Sequence, residues 1–371
     1  MVIDQAGEPS QSSIFRQDGN AWHFMSLPTG IAFSENGNFA TSPGVFDANH
    51  QGTSAAFTGP TLWSSDLDVF AQPSGGNGSH LDMLHESPYS QGIAAETDNV
   101  FWVFDGYNHD LVRYDFAEDH NPGNSWHGDA IIHRFSDDVL NRDPSGVVPS
   151  HLVLDQNKQW LYAVDNGNNR VIRIDINTGV PSAESPSYGP HEDVAEYLTY
   201  TGYTSEVVVS GGMQKPAGIA LISNKLLVSD YATGKIHVFD ISALPAQELF
   251  QIQTPAEGIM GIVIDPEGRI VYADHDNSEI VMVSPGALSL NNVSDNLLVY
   301  PNPAHNYVKL TGNISSSDQV TLLDISGRVI SQFSLSAEGL IVVSSLSPGM
   351  YFFRVSSDSS GLNQVIPWVK N

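Results

Sequence analysis

Apolar and polar positions alternate along most of this chain in short runs, each closed by Gly, Pro, Asn or Asp. That period predicts strands joined by tight turns rather than helices. The runs also repeat as a group. Pro216-Ala217-Gly218-Ile219-Ala220-Leu221 leads to Leu226-Leu227-Val228-Ser229-Asp230, then to Ile236-His237-Val238-Phe239-Asp240. The frame returns at 260–283, at 149–175 and at 91–115, with a weaker copy from Pro28-Thr29-Gly30-Ile31-Ala32-Phe33. Each unit reads as an inner strand, a turn, a second strand ending in Asp, a Gly/Asn-rich hairpin and a third strand. Self-similarity of this kind marks a repeat architecture.

These units resemble NHL repeats, which build β-propellers from radial four-stranded blades. The resemblance implies an all-β propeller over residues 14–290, with five blades, or six if one is disguised. Ser13 to Met25 is a candidate closing strand, and residues 1–13 are expected to be disordered. The fold alone implies no function.

A different set of signals occupies the C-terminus: Val299-Tyr300-Pro301-Asn302-Pro303-Ala304, then Leu323-Asp324-Ile325-Ser326-Gly327-Arg328, Leu346-Ser347-Pro348-Gly349-Met350-Tyr351 and a closing Trp368-Val369-Lys370-Asn371. Short β-rich runs lie between them, so residues 297–371 read as a small β-sandwich behind a linker at 291–296. The order of motifs resembles the type A C-terminal sorting domain of the type IX secretion system of Bacteroidota. It implies a protein secreted or displayed at the outer-membrane cell surface, with the type IX machinery as a partner. Met1 to Ser13 lacks the basic-then-apolar pattern of a signal peptide, so the expectation is a mature form whose leader has been removed.

Composition narrows the function. Asp plus Glu number 42 against 15 Lys plus Arg, a net charge of −27. Such a surface repels phosphate backbones and anionic lipid, which disfavours nucleic acid and peripheral membrane roles. No apolar run is long enough to span a bilayer. Cysteine is absent, which excludes thiol catalysis, thiolate metal sites and disulfides.

The candidate chemistry lies in the linkers 41–72, 75–90, 117–148 and 177–214, which make the repeat spacing uneven. Long loops on a rigid scaffold carry function. Seven of thirteen histidines fall between residues 80 and 151: His80, His85, His109, His120, His127, His133 and His151. Imidazole with carboxylate is the ligand set for zinc, copper or iron where thiolate is missing. His151 stands where the other copies carry Gly30, Gly92, Gly218 and Gly261. His80, His85 and His151 are therefore the first candidate metal ligands, followed by His127 and His133. Asp82 is the candidate catalytic carboxylate, or the partner that orients an imidazole. Gly75-Gly76-Asn77-Gly78 reads as a flexible approach to His80. Each histidine has a blander reading as a solvated loop residue, and His109 falls in a hairpin that needs polar residues anyway. Asp105, Asp165, Asp230 and Asp274 end equivalent strands and read as hairpin caps.

Three functions remain in play. One is a metal-dependent hydrolase, lyase or oxidoreductase with its site at the mouth of the central channel. Another is a non-catalytic module that binds or adheres to a glycan, peptide, small molecule or protein. The third is a hydrolase that uses calcium on acidic loops. One NHL enzyme, the peptidylglycine amidating lyase, holds zinc with histidines placed directly after the repeat proline. Here Thr29, Ser150 and Ala217 occupy those places, which counts against that activity.

Overall fold

The computed structural model describes residues 2–52, 55–72, 77–266, 268–283, 298–311, 318–325, 327–334, 339–356 and 363–370. Gly75 and Gly76 and the expected linker at 291–296 lie outside them. The fold is all-β and of propeller type, with a C-terminal sandwich, as the patterning predicts. The chain divides into two compact units, 1–218 and 219–371.

The first unit carries three blade-like sheets. The first joins Pro28–Phe33, Asn38–Pro43, Thr61–Ser64 and Asp82–Met83 in antiparallel order. The second joins Ile93–Thr97, Val100–Asp105, Asp110–Asp115 and Ile131–Phe135. The third joins Leu152–Asp155, Trp160–Asp165, Arg170–Asp175 and Ser205–Ser210. Between the last two strands of the third sheet the chain makes a detour. Glu196–Thr201 pairs in parallel with Ile131–Phe135, and Val180–Pro181 pairs outside it, so the second sheet has six strands. The repeat pattern gives no sign of this excursion.

The strand Val100–Asp105 is buried along its whole length, so its Val-Phe-Trp-Val-Phe run is apolar on both faces. Trp102, Phe104, Leu161 and Ile172 share one core between the second and third sheets. The inner strands approach closely at their starts. A Cβ on Gly92 would lie 2.4 Å from the Ser150 carbonyl oxygen and 2.7 Å from His151 Cα. Only glycine permits that contact. Three of the four strand-ending Asp residues cap their hairpins as expected: Asp105 Oδ1 accepts the N–H groups of Tyr107 and Asn108 at 2.9 and 2.8 Å, Asp230 accepts that of Ala232 at 3.2 Å, and Asp274 that of Asn277 at 3.1 Å. Asp165 instead accepts the Asn141 N–H at 2.7 Å and pairs with Arg170.

The N-terminal stretch differs from expectation. Val2–Asp4 pairs with Ser12–Ile14, so these residues form a hairpin rather than a disordered tail. Ser13–Met25 gives one arm of that hairpin and a short helix at Ala21–Phe24 instead of a closing strand. The Gln5 to Gln11 turn supplies the reason, with backbone bonds Glu8 to Gln5 and Gln11 to Glu8.

A four-stranded sheet, whose first strand Pro216–Ile222 begins at the unit boundary and whose last is Gln247–Gln253, is followed in the second unit by a fifth sheet of Ile259–Ile264, Ile270–Asp274 and Glu279–Met282. In the tail, a three-stranded and a four-stranded sheet enclose one core of Val308, Leu310, Val320, Leu322, Phe353 and Trp368. The tail motifs are structural ties. Asn302 Oδ1 accepts the Val369 N–H at 2.9 Å, Arg328 Nε donates to Asp324 Oδ2 at 3.0 Å, and Trp368 stacks on Phe353 with ring centres 5.6 Å apart.

Candidate functional site

All four long linkers send residues to the outer edge of the first sheet. Linker 41–72 gives Phe57, 75–90 gives His80, Asp82 and His85, 117–148 gives His127, and 177–214 gives Glu192. The helix Ala21–Phe24 adds His23. Phe57 lies flat on His85 with ring centres 3.9 Å apart, and Phe24 on His80 at 3.6 Å. The ring centres of His23 and His85 are 5.7 Å apart, and those of His85 and His127 are 6.3 Å apart. Two imidazoles sharing a tetrahedral metal lie about 5 Å apart on this measure.

Each imidazole is held by one nitrogen. His80 Nδ1 donates to the Asn77 carbonyl at 2.8 Å, and His23 bonds the Ala48 backbone. The His85 N–H donates to Glu192 Oε1 at 2.7 Å, and its Nδ1 lies 3.2 Å from Oε2. Burial alone would push the Glu192 carboxyl up, but the His85 hydrogen bonds hold it below the usual range. Glu192 can then only accept, so Nδ1 of His85 carries the proton. That leaves Nε2 of His85 buried without a partner, and Nδ1 of His23 is in the same state. Burial lowers His80 to about 4, and burial together with the neighbouring His85 lowers His23. Both are neutral near pH 7, as a metal ligand requires.

Asp82 is fully buried and makes a short hydrogen bond through Oδ1 to Nδ1 of His127. Its Oδ1 also accepts the Met83 N–H at 2.6 Å, while Oδ2 has no partner. Burial raises the Asp82 carboxyl. Burial opposes a charged His127, yet the Asp82 carboxylate outweighs it and raises the imidazole too.

Beside this cluster lies a buried carboxyl that the sequence did not single out. Glu86 accepts the His191 N–H through Oε1 at 2.5 Å, and Oε2 has no partner. Burial, with help from the Glu192 and Asp105 charges, pushes it up to about 7 against the pull of Arg134. Gly189, at φ +75°, makes room: a Cβ there would fall 1.7 Å from Glu86 Oε2. Arg134 is itself fully buried, donating to both Asp110 oxygens and to Asp105.

The structure therefore brings together His80, Asp82, His85 and His127 of the sequence candidates. His133 and His151 stand apart. His133 sits on the strand Ile131–Phe135 with Nε2 2.5 Å from Glu196 Oε1. His151 lies where the inner strands meet, its Nε2 bonded to the Thr29 carbonyl at 2.8 Å. The cluster is at the outer edge of the first sheet, not beside the inner strands. His23 and Glu192 were missed because they lie far away in sequence; the only local signal was the His191-Glu192 pair in a long linker. Among the described residues, no group of three or more His, Asp or Glu side chains is already arranged to hold a metal ion.

Residues 298–366 match the secretion system C-terminal sorting domain. The tail is a type IX sorting domain. With it, the protein is a type IX cargo, secreted or held at the cell surface, and the secretion machinery is its partner. No helix of the described residues is long and apolar enough to cross a membrane. No curated protein matches the chain in sequence. Among solved structures, a nidogen/laminin complex aligns at 11% identity over 70% of this cargo and 76% of that chain, with a TM-score of 0.46. An auxiliary nutrient binding protein from Bacteroides ovatus aligns at 12% over 68% and 58%, with a TM-score of 0.43. The periplasmic gluconolactonase of Pseudomonas aeruginosa aligns at 13% over 93% and 87%, with a TM-score of 0.42. At such values these likenesses carry nothing about the cargo's chemistry.

Proposed function

We propose that this cargo works outside the cell as a metal-dependent enzyme, with His23, His85 and His127 as ligands and His80 beside them. One observation carries the reading: each imidazole has one nitrogen tied to a carboxylate or carbonyl, and the opposite nitrogens of His23 and His85 are buried without partners. Carboxylates or carbonyls that orient an imidazole by its far nitrogen are the usual supports of a metal-binding histidine. An unpartnered buried nitrogen costs about 1–3 kcal/mol in the metal-free chain, and a bound cation removes that cost. Zinc, copper or iron suits the donor set, and such a metal would polarise a carbonyl or supply hydroxide at neutral pH. Asp82 positions His127, and Glu86, poised near neutrality, is the group suited to carry a proton.

The test is elemental analysis of untagged protein after incubation with zinc or copper and removal of excess metal. One metal per chain is expected in the parent, and less than about a tenth of that in His85→Ala, with a metal-dependent rise in melting temperature lost in the same variant. A parent protein that retains no metal sinks the reading.

A further inference from the structure

Arginine is scarce in this acidic chain, and in the second and third sheets it is matched to acid. Arg113 pairs with Glu96, Arg134 with Asp105 and Asp110, Arg170 with Asp165, and Arg173 with Glu206. Arg142 breaks that rule. No carboxylate pairs with it among the described residues. Its guanidinium instead lies over the Tyr89 ring, 4.1 Å from the centre, and is half-buried. A guanidinium stacked this way keeps its edge N–H groups free in a fixed plane, the geometry that receives a carboxylate.

Tyr89 begins a row of rings. Phe46 follows at 5.6 Å, Tyr107 at 5.4 Å from Phe46, and Tyr188 at 5.9 Å from Tyr107. Tyr107 is 45% exposed, and the other three are partly open to solvent. The row then runs to the histidine cluster: Tyr188 meets His191 at 4.9 Å, His191 meets Phe57 at 5.7 Å, and Phe57 stacks on His85. The Tyr188 hydroxyl is buried without a partner.

We propose that this row, headed by Arg142, binds an acidic glycan, with a uronate carboxylate on Arg142 and sugar faces on Phe46, Tyr107 and Tyr188. Sugar rings present flat apolar C–H faces that suit exposed aromatic rings. An extended line of such rings fits an extended polymer, and the Arg142 guanidinium at its head suits one that carries carboxylates. The path of the row presents the bound glycan to His85, so the inference rests on the site proposed above and names its substrate class.

The experiment is calorimetric titration of chelator-treated protein with tetrasaccharides of galacturonate, mannuronate and glucuronate. A neutral galactose tetrasaccharide and benzoate serve as comparisons. At least one uronide is expected to bind. Arg142→Gln and Tyr107→Ala, with parental melting temperatures, are each expected to weaken it by about tenfold or more. The neutral sugar is expected to bind about tenfold or more weakly than the uronide. The proposal is overturned if no uronide binds, if the neutral sugar or benzoate binds as well, or if Arg142→Gln has no effect. Binding is read without metal, so a cargo that binds uronide but retains no metal loses only the metal reading. One that retains metal but binds no uronide loses only the glycan.

Discussion

At the scale of single residues, the site is a set of side chains whose ionisation is governed by burial. Glu86 is the sharpest case. It ionises near 4.5 in an unfolded chain but only at about 7 in the folded one. The folded state therefore holds the extra proton between those values. The stability this contributes is fully present below about pH 4.5 and is lost as pH rises through 7. The full span is on the order of 3 kcal/mol. Glu86→Gln keeps an acceptor for the His191 N–H and cannot ionise. Its urea midpoint should exceed the parent's at pH 8, with the gain fading towards pH 5; a gain equal at both pH values would contradict the assignment. His80 works in the opposite sense. Its folded value of about 4 lies below the ordinary 6.5, so the unfolded chain takes the proton first and stability falls as pH drops from 6.5 towards 4. Their opposed windows overlap between 4.5 and 6.5, so in that range the two effects offset each other in the pH profile of the parent.

At the scale of elements, the repeat and its departures have separate jobs. Apolar alternation sets the sheets, and the inner strands then approach so closely that side chains are excluded at some positions. Gly92→Ala places a methyl group against backbone atoms of Ser150 and His151 that cannot rotate away. It should cost about 1–3 kcal/mol and lower the melting temperature by several degrees. Gly19→Ala, where a Cβ meets nothing within 4 Å, should be close to neutral and serves as the control. The excursion through Val180–Pro181 and Glu196–Thr201 shows why element order could not be read in full. A parallel strand contributed by the connection between two strands of the third sheet leaves no periodic mark, because its partner Ile131–Phe135 looks like an ordinary outer strand. What the linker lengths did reveal was that extra chain had to go somewhere, and it goes to the histidine cluster.

At the scale of the whole molecule, export and chemistry are separable. The tail motifs knit the sandwich to its own last strand, through Asn302 to Val369 and the Trp368 stack, and the histidine cluster belongs wholly to residues 1–218. With a signal peptide fused in front of each and a host that has a type IX system, a chain ending before residue 298 should accumulate in the periplasm, while the full chain reaches the medium or cell surface. Fractionation and immunoblotting decide this, and export of the shortened chain would contradict the tail's role. The sequence by itself determined the all-β class, the repeated units, most of the strand-ending Asp caps and the sorting tail. Each is local, set by period-two patterning, turn residues or contiguous motifs. It also marked His80, Asp82, His85 and His127, because they lie in linkers longer than the repeat needs. Tertiary structure alone decided that His23 and Glu192 join them, that His133 and His151 stand apart, and that Arg142 lacks an acidic partner. Those facts depend on which distant strands pair and which loops fold back, and nothing in the spacing of residues along the chain encodes the distance between them in space.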